Sequence, residues 1–416
     1  MLKPFTTPAW RICLIFSVIT AGLLGFASIA GPCGPLLPCS TALPNSYRAP
    51  GTHSLASLAL DKVLQDASPI FGHASSLLLP NSVEPATATW MKAYHDDTRI
   101  VHLNLPGAHD AATWNYSRAT QDALKYVNDL ANISAGDPAF YNCQARSLLQ
   151  MLNAGIRVFD LRYAFDVTRT TLVFWHGNAL QSETATVQDV MYAFYAWLDL
   201  HPSEALFLSF QHEGGGDDMQ TQVSLSQTLG SSAARKYIVR GKITLLKRFD
   251  LDLIQEHHER ALPGLHFSPR KWTVNGADIE LVYNETTRET AYIEDYFYPM
   301  TEVGSPATTT ISMKMNATEA HLQRAASNHH ADRLFWGFAS STNTANVPPD
   351  TPQIQALGNG TLTPEGGVNQ QLVPILKGMK GKRLGIMMFD FFEEPEDLVS
   401  LYLSLLSPEE ALHYGA

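Results

Sequence analysis

From Trp90 onward the chain alternates short apolar runs with stretches patterned for helix, and this alternation constrains its fold more than any other feature. Apolar runs of roughly four to eight residues between turn residues read as buried strands, and strands separated by helices return in the same direction to build a parallel sheet. The strand candidates are 100–105, 157–163, 171–175, 205–210, 242–247, 280–283, 334–339 and 384–389. Helix candidates at 147–154, 187–200, 318–328, 371–378 and 396–406 fall between them, and the second stops at His201-Pro202 because proline cannot continue a helix. Eight strands is the barrel number, so the expected fold is α/β, a TIM-like (β/α)8 barrel, irregular or incompletely closed.

The 416 residues suffice for one such barrel plus extensions, and 45% hydrophobic residues supply a large core. At the N-terminus Lys3 and Arg11 precede an uncharged run, 12–30, that ends in the small residues Ala27-Ser28-Ile29-Ala30-Gly31. This reads as a secretory signal peptide or an uncleaved signal anchor. Residues 31–86, rich in Pro, Ser, Ala and Leu without sustained periodicity, read as a leader, and 87–416 as the catalytic barrel. Five Asn-X-Ser/Thr sequons, at Asn115, Asn132, Asn284, Asn316 and Asn359, fit passage through a glycosylating pathway to the outside. Asn115 lies six positions after His109, so we expect it unmodified or pointing outward. Cys33 and Cys39 flank a turn that could close a small disulfide loop, leaving Cys143 free or able to exchange partners. No Cys/His spacing resembles a zinc site. A net charge of -11 without a Lys/Arg cluster argues against nucleic acid and against lasting attachment to anionic lipid.

Chemistry in such barrels gathers at the C-terminal ends of the strands. The first strand runs into Leu105-Pro106-Gly107-Ala108-His109-Asp110, which puts an imidazole and a carboxylate after a turn; the plain alternative is a capped turn with a surface histidine. In Val158-Phe159-Asp160-Leu161-Arg162 the period of two places Asp160 and Arg162 on one face, where charges are costly unless paired or functional. The third run ends in Phe174-Trp175-His176-Gly177, with a glycine that permits close approach of a ligand. Two histidines, an arginine and a carboxylate on successive strand ends supply the base, the acid and the cation that phosphodiester cleavage needs.

These segments, with Gly155-Ile156-Arg157 before the second strand, resemble the X domain of phosphatidylinositol-specific phospholipases C. His201-Pro202-Ser203-Glu204 and the stretch from Arg240 to Phe249 are similar to later segments of its bacterial and fungal members, so that the resemblance spans 90–406. It implies that His109 is the general base for the inositol 2-hydroxyl and His176 the general acid for the leaving oxygen. Arg162 would stabilise phosphate charge, Asp110 would assist the acid, and Asp390 at the end of the last strand would orient His109. Calcium-dependent members carry an acidic residue where this chain has Arg162, which implies no metal and no cofactor, and the resemblance implies an intramolecular attack that gives a cyclic phosphodiester. Arg248, Asp295, Phe297 and Gln211 match headgroup-binding positions. Two of them depart from the pattern: Phe297 replaces an aromatic hydroxyl that Tyr296 or Tyr298 could restore, and Gln211 stands about where a lysine is expected.

The implied partners are a phospholipid or inositol-phosphate substrate and a membrane surface touched transiently, with the protein a monomer. Another glycerophospho- or lysolipid specificity is the alternative, although the His-Arg-Gly tripeptide of the metal-dependent barrel enzymes is absent. A catalytically silent binding module of the same fold is a further alternative, but it would have no need for a paired base and acid. A serine hydrolase lacks its Gly-X-Ser-X-Gly elbow, and Gly214-Gly215-Gly216 lacks the spacing of a dinucleotide site.

Overall fold

The structure, a computed structural model, describes residues 54–74, 85–214, 218–231, 237, 250–254, 272–284 and 289–414. Its elements are α1 (Leu55–Phe71), β1 (Leu105–Ala108), α2 (Arg118–Ala123), α3 (Lys125–Leu130), α4 (Leu148–Ala154), β2 (Val158–Phe165), β3 (Leu172–His176), β4 (Ala179–Leu180), α5 (Val187–Leu200), β5 (Phe207–His212), α6 (Asp218–Leu229), β6 (Asp250–Ile254), β7 (Ile279–Asn284), β8 (Glu289–Glu294), α7 (Ala307–Ala325), β9 (Leu334–Phe338), α8 (Pro352–Leu357), α9 (Val368–Lys377), β10 (Ile386–Phe389), α10 (Leu398–Ser404) and α11 (Pro408–Leu412). The expected strand 242–247, Arg248, Cys33 and Cys39 lie outside the described residues.

Backbone ladders join β6, β5, β2, β1, β10, β9 and β8 in that order, each neighbouring pair parallel, and β7 runs antiparallel along the far edge of β8. This is a TIM-like barrel, incompletely closed: among the described residues no ladder joins β6 to β7. Gly107 is required where β1 meets its neighbours, because a Cβ there would lie 2.3 Å from Met388 Sδ and 3.0 Å from Val158 Cβ.

Three of the expected strands take other forms. The run 171–175 is β3, but it folds back antiparallel on β2. Only residues 166–171 separate the two strands, and Asp166 Oδ1 accepts from the main-chain N–H groups of Thr170 and Thr171 at 2.8 and 3.1 Å. A parallel return needs roughly a dozen residues, so this connection can only be a hairpin. The run 280–283 is β7, half of another hairpin whose partner β8 is not evident from the sequence. In 100–105 the chain first makes a 3-10 turn, Ile100–His102, because Ile100, Val101 and Leu103 fill the barrel floor before the strand begins.

The span read as a leader contains α1. Ser54 caps it by accepting from Ser57 N–H, and Leu64, Ala67, Ile70 and Phe71 are buried. Phe71 meets Phe194 of α5 edge-on at 5.4 Å, a contact whose burial stabilises by about 1.5–3 kcal/mol. The packed structure thus includes residues well ahead of the expected boundary at 87.

Alternation along the strands sorts side chains between two cores. Outward residues, Phe159 and Leu161 of β2, Leu208 and Phe210 of β5, and Met387 and Phe389 of β10, pack in the cluster shared with the helices. Inward residues Leu105, Val158, Phe207, Ile293, Trp336, Ile386 and Met388 fill the floor. Continuing inward toward the C-terminal ends, the same faces change to His109, Asp160, Arg162, Ser209, Gln211, Asp295 and Asp390, all of which line one cavity. The floor also explains two of the motif segments. Arg157 and Glu204 form an ion pair at 2.7 Å with side chains 1% and 0% exposed, and His201 caps α5 with its ring stacked on Trp197 at 4.0 Å. Both segments belong to the scaffold rather than to the mouth.

Candidate active site

The ends of β1, β2, β3, β5, β8, β9 and β10 deliver side chains to the mouth, where they enclose a cavity of about 460 Å³, within the size range of small-ligand sites. His109 follows β1 directly. Its Nδ1–H donates to Asp390 Oδ1 at 2.8 Å, and its Nε2 accepts from Arg162 Nη2 at 2.7 Å. Together these partners assign a neutral imidazole with its proton on Nδ1. The chain then turns at Asp110, a non-glycine residue at φ 43°, a conformation Asp tolerates. That turn buries the carboxylate behind the cavity, with Oδ1 2.9 Å from Arg162 Nε and Oδ2 3.2 Å from His176 Nε2.

His176 reaches the same place from the end of the β3 hairpin. Its Nδ1–H donates to the carbonyl of Tyr141 at 3.0 Å, which turns Nε2 toward Asp110. Burial pushes the Asp110 carboxyl well above the usual range against the pull of Arg162 and His109. For His176 the largest effect is again burial, which holds the imidazole below its ordinary value although Glu213 opposes it. Asp110 and His176 lie 3.2 Å apart as one acid–base unit at the back of the cavity, the carboxyl raised and the imidazole lowered.

Burial also lowers His109, but the carboxylates of Asp390 and Asp110 outweigh it and hold the imidazole above its usual value. Asp390 is itself raised by burial, against His109. Asp160 ends below the usual range, because Arg162 and His109 overcome the burial that would raise it.

Arg162 is the centre of the cluster. It contacts Asp110, Asp160 Oδ2 at 3.1 Å and Glu213, and its side chain is 15% exposed. Glu213 was not anticipated, although the inward alternation Phe207, Ser209, Gln211 leads to it. Its Oε2 accepts from Gly177 N–H at 2.5 Å, so it holds the turn after His176 while its other oxygen accepts from Arg162. Cys143, buried and free, also lines the cavity, and burial raises its thiol well above the usual value.

The headgroup positions divide. Asp295, Phe297 and Gln211 line the cavity. Asp295 Oδ2 accepts from Trp272 Nε1–H at 2.8 Å, and burial pushes the carboxyl up to about 6. Gln211 Nε2 donates to Glu213 Oε1 at 3.2 Å. Of the neighbouring tyrosines neither lines the cavity, and the Tyr298 hydroxyl accepts from Ala345 N–H at 3.2 Å, so Phe297 faces the cavity with no hydroxyl in its stead.

Two groups, His109 with Asp110 and Cys143, and Asp110 with His176 and Glu213, bring possible metal ligands within 4.8 Å of one another. Arg162 contacts three of these residues, His109, Asp110 and Glu213. The geometry can accept a hydroxyl proton at His109, donate one from the Asp110–His176 unit, and present guanidinium N–H groups to an anion between them.

The barrel shares its fold with phosphatidylinositol-specific phospholipases C, and the resemblance seen in the motifs extends to curated proteins and solved structures. No family model matches the chain. It is 24% identical over 206 residues to human PI-PLC X domain-containing protein 1, covering 44% of this chain and 62% of that protein. It is 28% identical over 155 residues to the 1-phosphatidylinositol phosphodiesterase of Listeria monocytogenes, covering 36% of this chain and 42% of that protein. The matches thus span less than two thirds of either relative. A variant of phosphatidylinositol-specific phospholipase C from Staphylococcus aureus superposes over 77% of this chain and 98% of its own with a TM-score of 0.59 at 15% identity.

Proposed function

We propose that the chain is a phosphodiesterase of the phosphatidylinositol-specific phospholipase C type, working by paired-histidine acid–base catalysis without a metal ion. The observation that carries this reading is the convergence of His109, Arg162 and His176 on a single cavity, with Arg162 Nη2 2.7 Å from one imidazole and Asp110 Oδ2 3.2 Å from the other. His109 removes the proton of a ring hydroxyl, whose oxygen attacks phosphorus. The bond to the leaving oxygen breaks as the Asp110–His176 unit protonates it, and a cyclic phosphodiester remains. Asp390 stabilises the imidazolium formed on His109, and Arg162 offsets the charge that grows on the phosphoryl oxygens.

Arg162 supports metal independence, since a guanidinium held among Asp110, Asp160 and Glu213 supplies the charge a cation would bring. Asp295 and Gln211 are placed to bind the hydroxyls of a polyol headgroup. Phe297 offers only an apolar face, which favours a headgroup differing from inositol, or bound differently, as the second reading. Turnover of a fluorogenic inositol phosphodiester by the full chain, with and without EDTA, tests both: equal rates are expected, and a tenfold loss restored by calcium would contradict the role given to Arg162.

We place this activity outside the cell or at its surface, with a lipid substrate met transiently by a monomer. The asparagines of four sequons, Asn115, Asn132, Asn316 and Asn359, are exposed, which supports a secreted glycoprotein. Among the described residues no helix is long and apolar enough to cross a membrane. Mass spectrometry of the protein recovered from a eukaryotic host is expected to show glycans and a new N-terminus near residue 31; an unmodified chain retained inside the cell would contradict secretion.

A further inference from the structure

His109, Asp390 and His176 come from three different strands, yet one short stretch of chain touches the supports of all of them. Residues 141–144 lie between a 3-10 turn, Pro138–Phe140, and Ser147, the N-cap of α4. The Tyr141 carbonyl fixes the tautomer of His176. The Cys143 carbonyl accepts from Phe391 N–H at 3.0 Å, one residue beyond Asp390. Gln144 Nε2 donates to the carbonyl of His109 at 2.7 Å and to that of Phe389 at 2.8 Å.

The fully buried Gln144 does something the ladder cannot. The last rung between β1 and β10 is the bond from His109 N–H to the Phe389 carbonyl, 3.0 Å. Immediately after it both strands break away, Asp110 at φ 43° and Phe391 at φ 44°. Left-handed residues turn the chain out of the sheet, so the His109 carbonyl has no further strand partner. The Gln144 carboxamide supplies one and at the same time grips the carbonyl just before Asp390. From the other side Asn369 of α9 donates to the carbonyls of Asp390, Phe391 and Glu394 at 2.9, 3.2 and 3.0 Å. Neither Gln144 Oε1 nor Asn369 Oδ1 has a hydrogen-bond partner, so each amide is held through its N–H groups alone.

We infer that Gln144 is a positioning residue for His109 and Asp390: its side-chain amide bridges the diverging ends of β1 and β10 and so keeps His109 Nδ1 within 2.8 Å of Asp390 Oδ1. Its kinetic consequence rests on the phosphodiesterase reading, whereas its structural consequence does not. The test uses the full chain carrying Gln144→Met, of similar length but with no donor, and Gln144→Glu, which keeps one donor when burial holds it protonated. Proton NMR titration without substrate, with the His109 signal assigned through His109→Ala, is expected to show the His109 midpoint falling in Gln144→Met as its carboxylate partner is lost. A smaller fall is expected in Gln144→Glu, with the His176 midpoint unmoved in both. In the turnover assay kcat is expected to drop about 10- to 100-fold in Gln144→Met with KM changed less than about threefold, because displacement by even 1 Å disturbs the reacting geometry while leaving headgroup contacts intact.

An unmoved His109 midpoint in whichever variant folds overturns the inference, and failure of both to fold overturns it in favour of a purely structural role. A moved midpoint in a protein that turns over no phosphodiester leaves the positioning role standing and contradicts the proposed function instead.

Discussion

Two arginines five positions apart, Arg157 just before β2 and Arg162 within it, have opposite surroundings. Arg157, at the floor, pairs with one carboxylate, Glu204, and spends its remaining N–H groups on the carbonyls of Leu152, Ile156, Thr87 and Ala88. It also lies against Trp197 at 5.1 Å and Trp90 at 5.8 Å. Arg162, at the mouth, faces three carboxylates and an imidazole, remains partly exposed, and has beside it two carboxylate oxygens, Asp110 Oδ2 and Asp390 Oδ2, without a hydrogen bond. At the floor the guanidinium and its carboxylate are matched to each other and almost fully buried, which is what rigidity requires. At the mouth, charge is left unbalanced in a cavity, which is what binding and proton transfer require.

This contrast fails if the mouth residues are needed for folding or the floor residues for chemistry. His109→Ala and His176→Ala should each lower turnover by about 100-fold or more while leaving the denaturation midpoint close to that of the parent. Near-normal rates in either variant would remove that histidine from acid–base work. At the floor, Glu204→Ala leaves a buried guanidinium without its counter-charge and should cost about 3–5 kcal/mol in urea unfolding. The fraction that remains folded should turn over substrate at an unchanged kcat, and a stability loss below about 1 kcal/mol would show that the pair is not the fully desolvated one described.

The smallest expected effect is a shift in pH dependence, and it tests how the two imidazoles divide the proton. The base must be neutral and the acid protonated, giving a bell-shaped kcat/KM with a maximum at mildly acidic to neutral pH. Because Asp390 and Asp110 hold His109 above its ordinary value while burial holds His176 below it, the alkaline limb belongs to His109 and the acid limb to His176. Asp390→Asn removes a charge that raises His109, so the alkaline limb should move to lower pH while the acid limb stays. Movement of the acid limb alone would reverse the assignment.

His109-Asp110 was legible in the sequence because it follows a short apolar run, and Asp160-Arg162 because it obeys the two-residue period, whereas Asp390 came from the resemblance of the last strand end to the family pattern. His176 was found as a motif but misplaced as a rung of the barrel, since apolar content does not distinguish a hairpin strand from a parallel one; the short connection 166–171 does. Glu213 escaped notice because it stands before a glycine run rather than in a recognisable motif, and only the inward register of β5 reveals it. The helix α1 was obscured because its buried stripe includes the small residue Ala67, and its exposed face carries Leu55 and Leu58, which blurs the helical period. Gln144 and Asn369 carry no sequence signal at all, because their importance comes from which carbonyls they reach across the fold.

The central claim is that His109 delivers an attack by the substrate's own hydroxyl on a phosphate held by Arg162. Phosphorus NMR of an inositol phosphodiester incubated with the full chain in the presence of EDTA tests it most directly. A cyclic phosphodiester appearing first, and absent with His109→Ala, is the predicted result; a linear phosphate monoester formed from the outset with no cyclic species would contradict it.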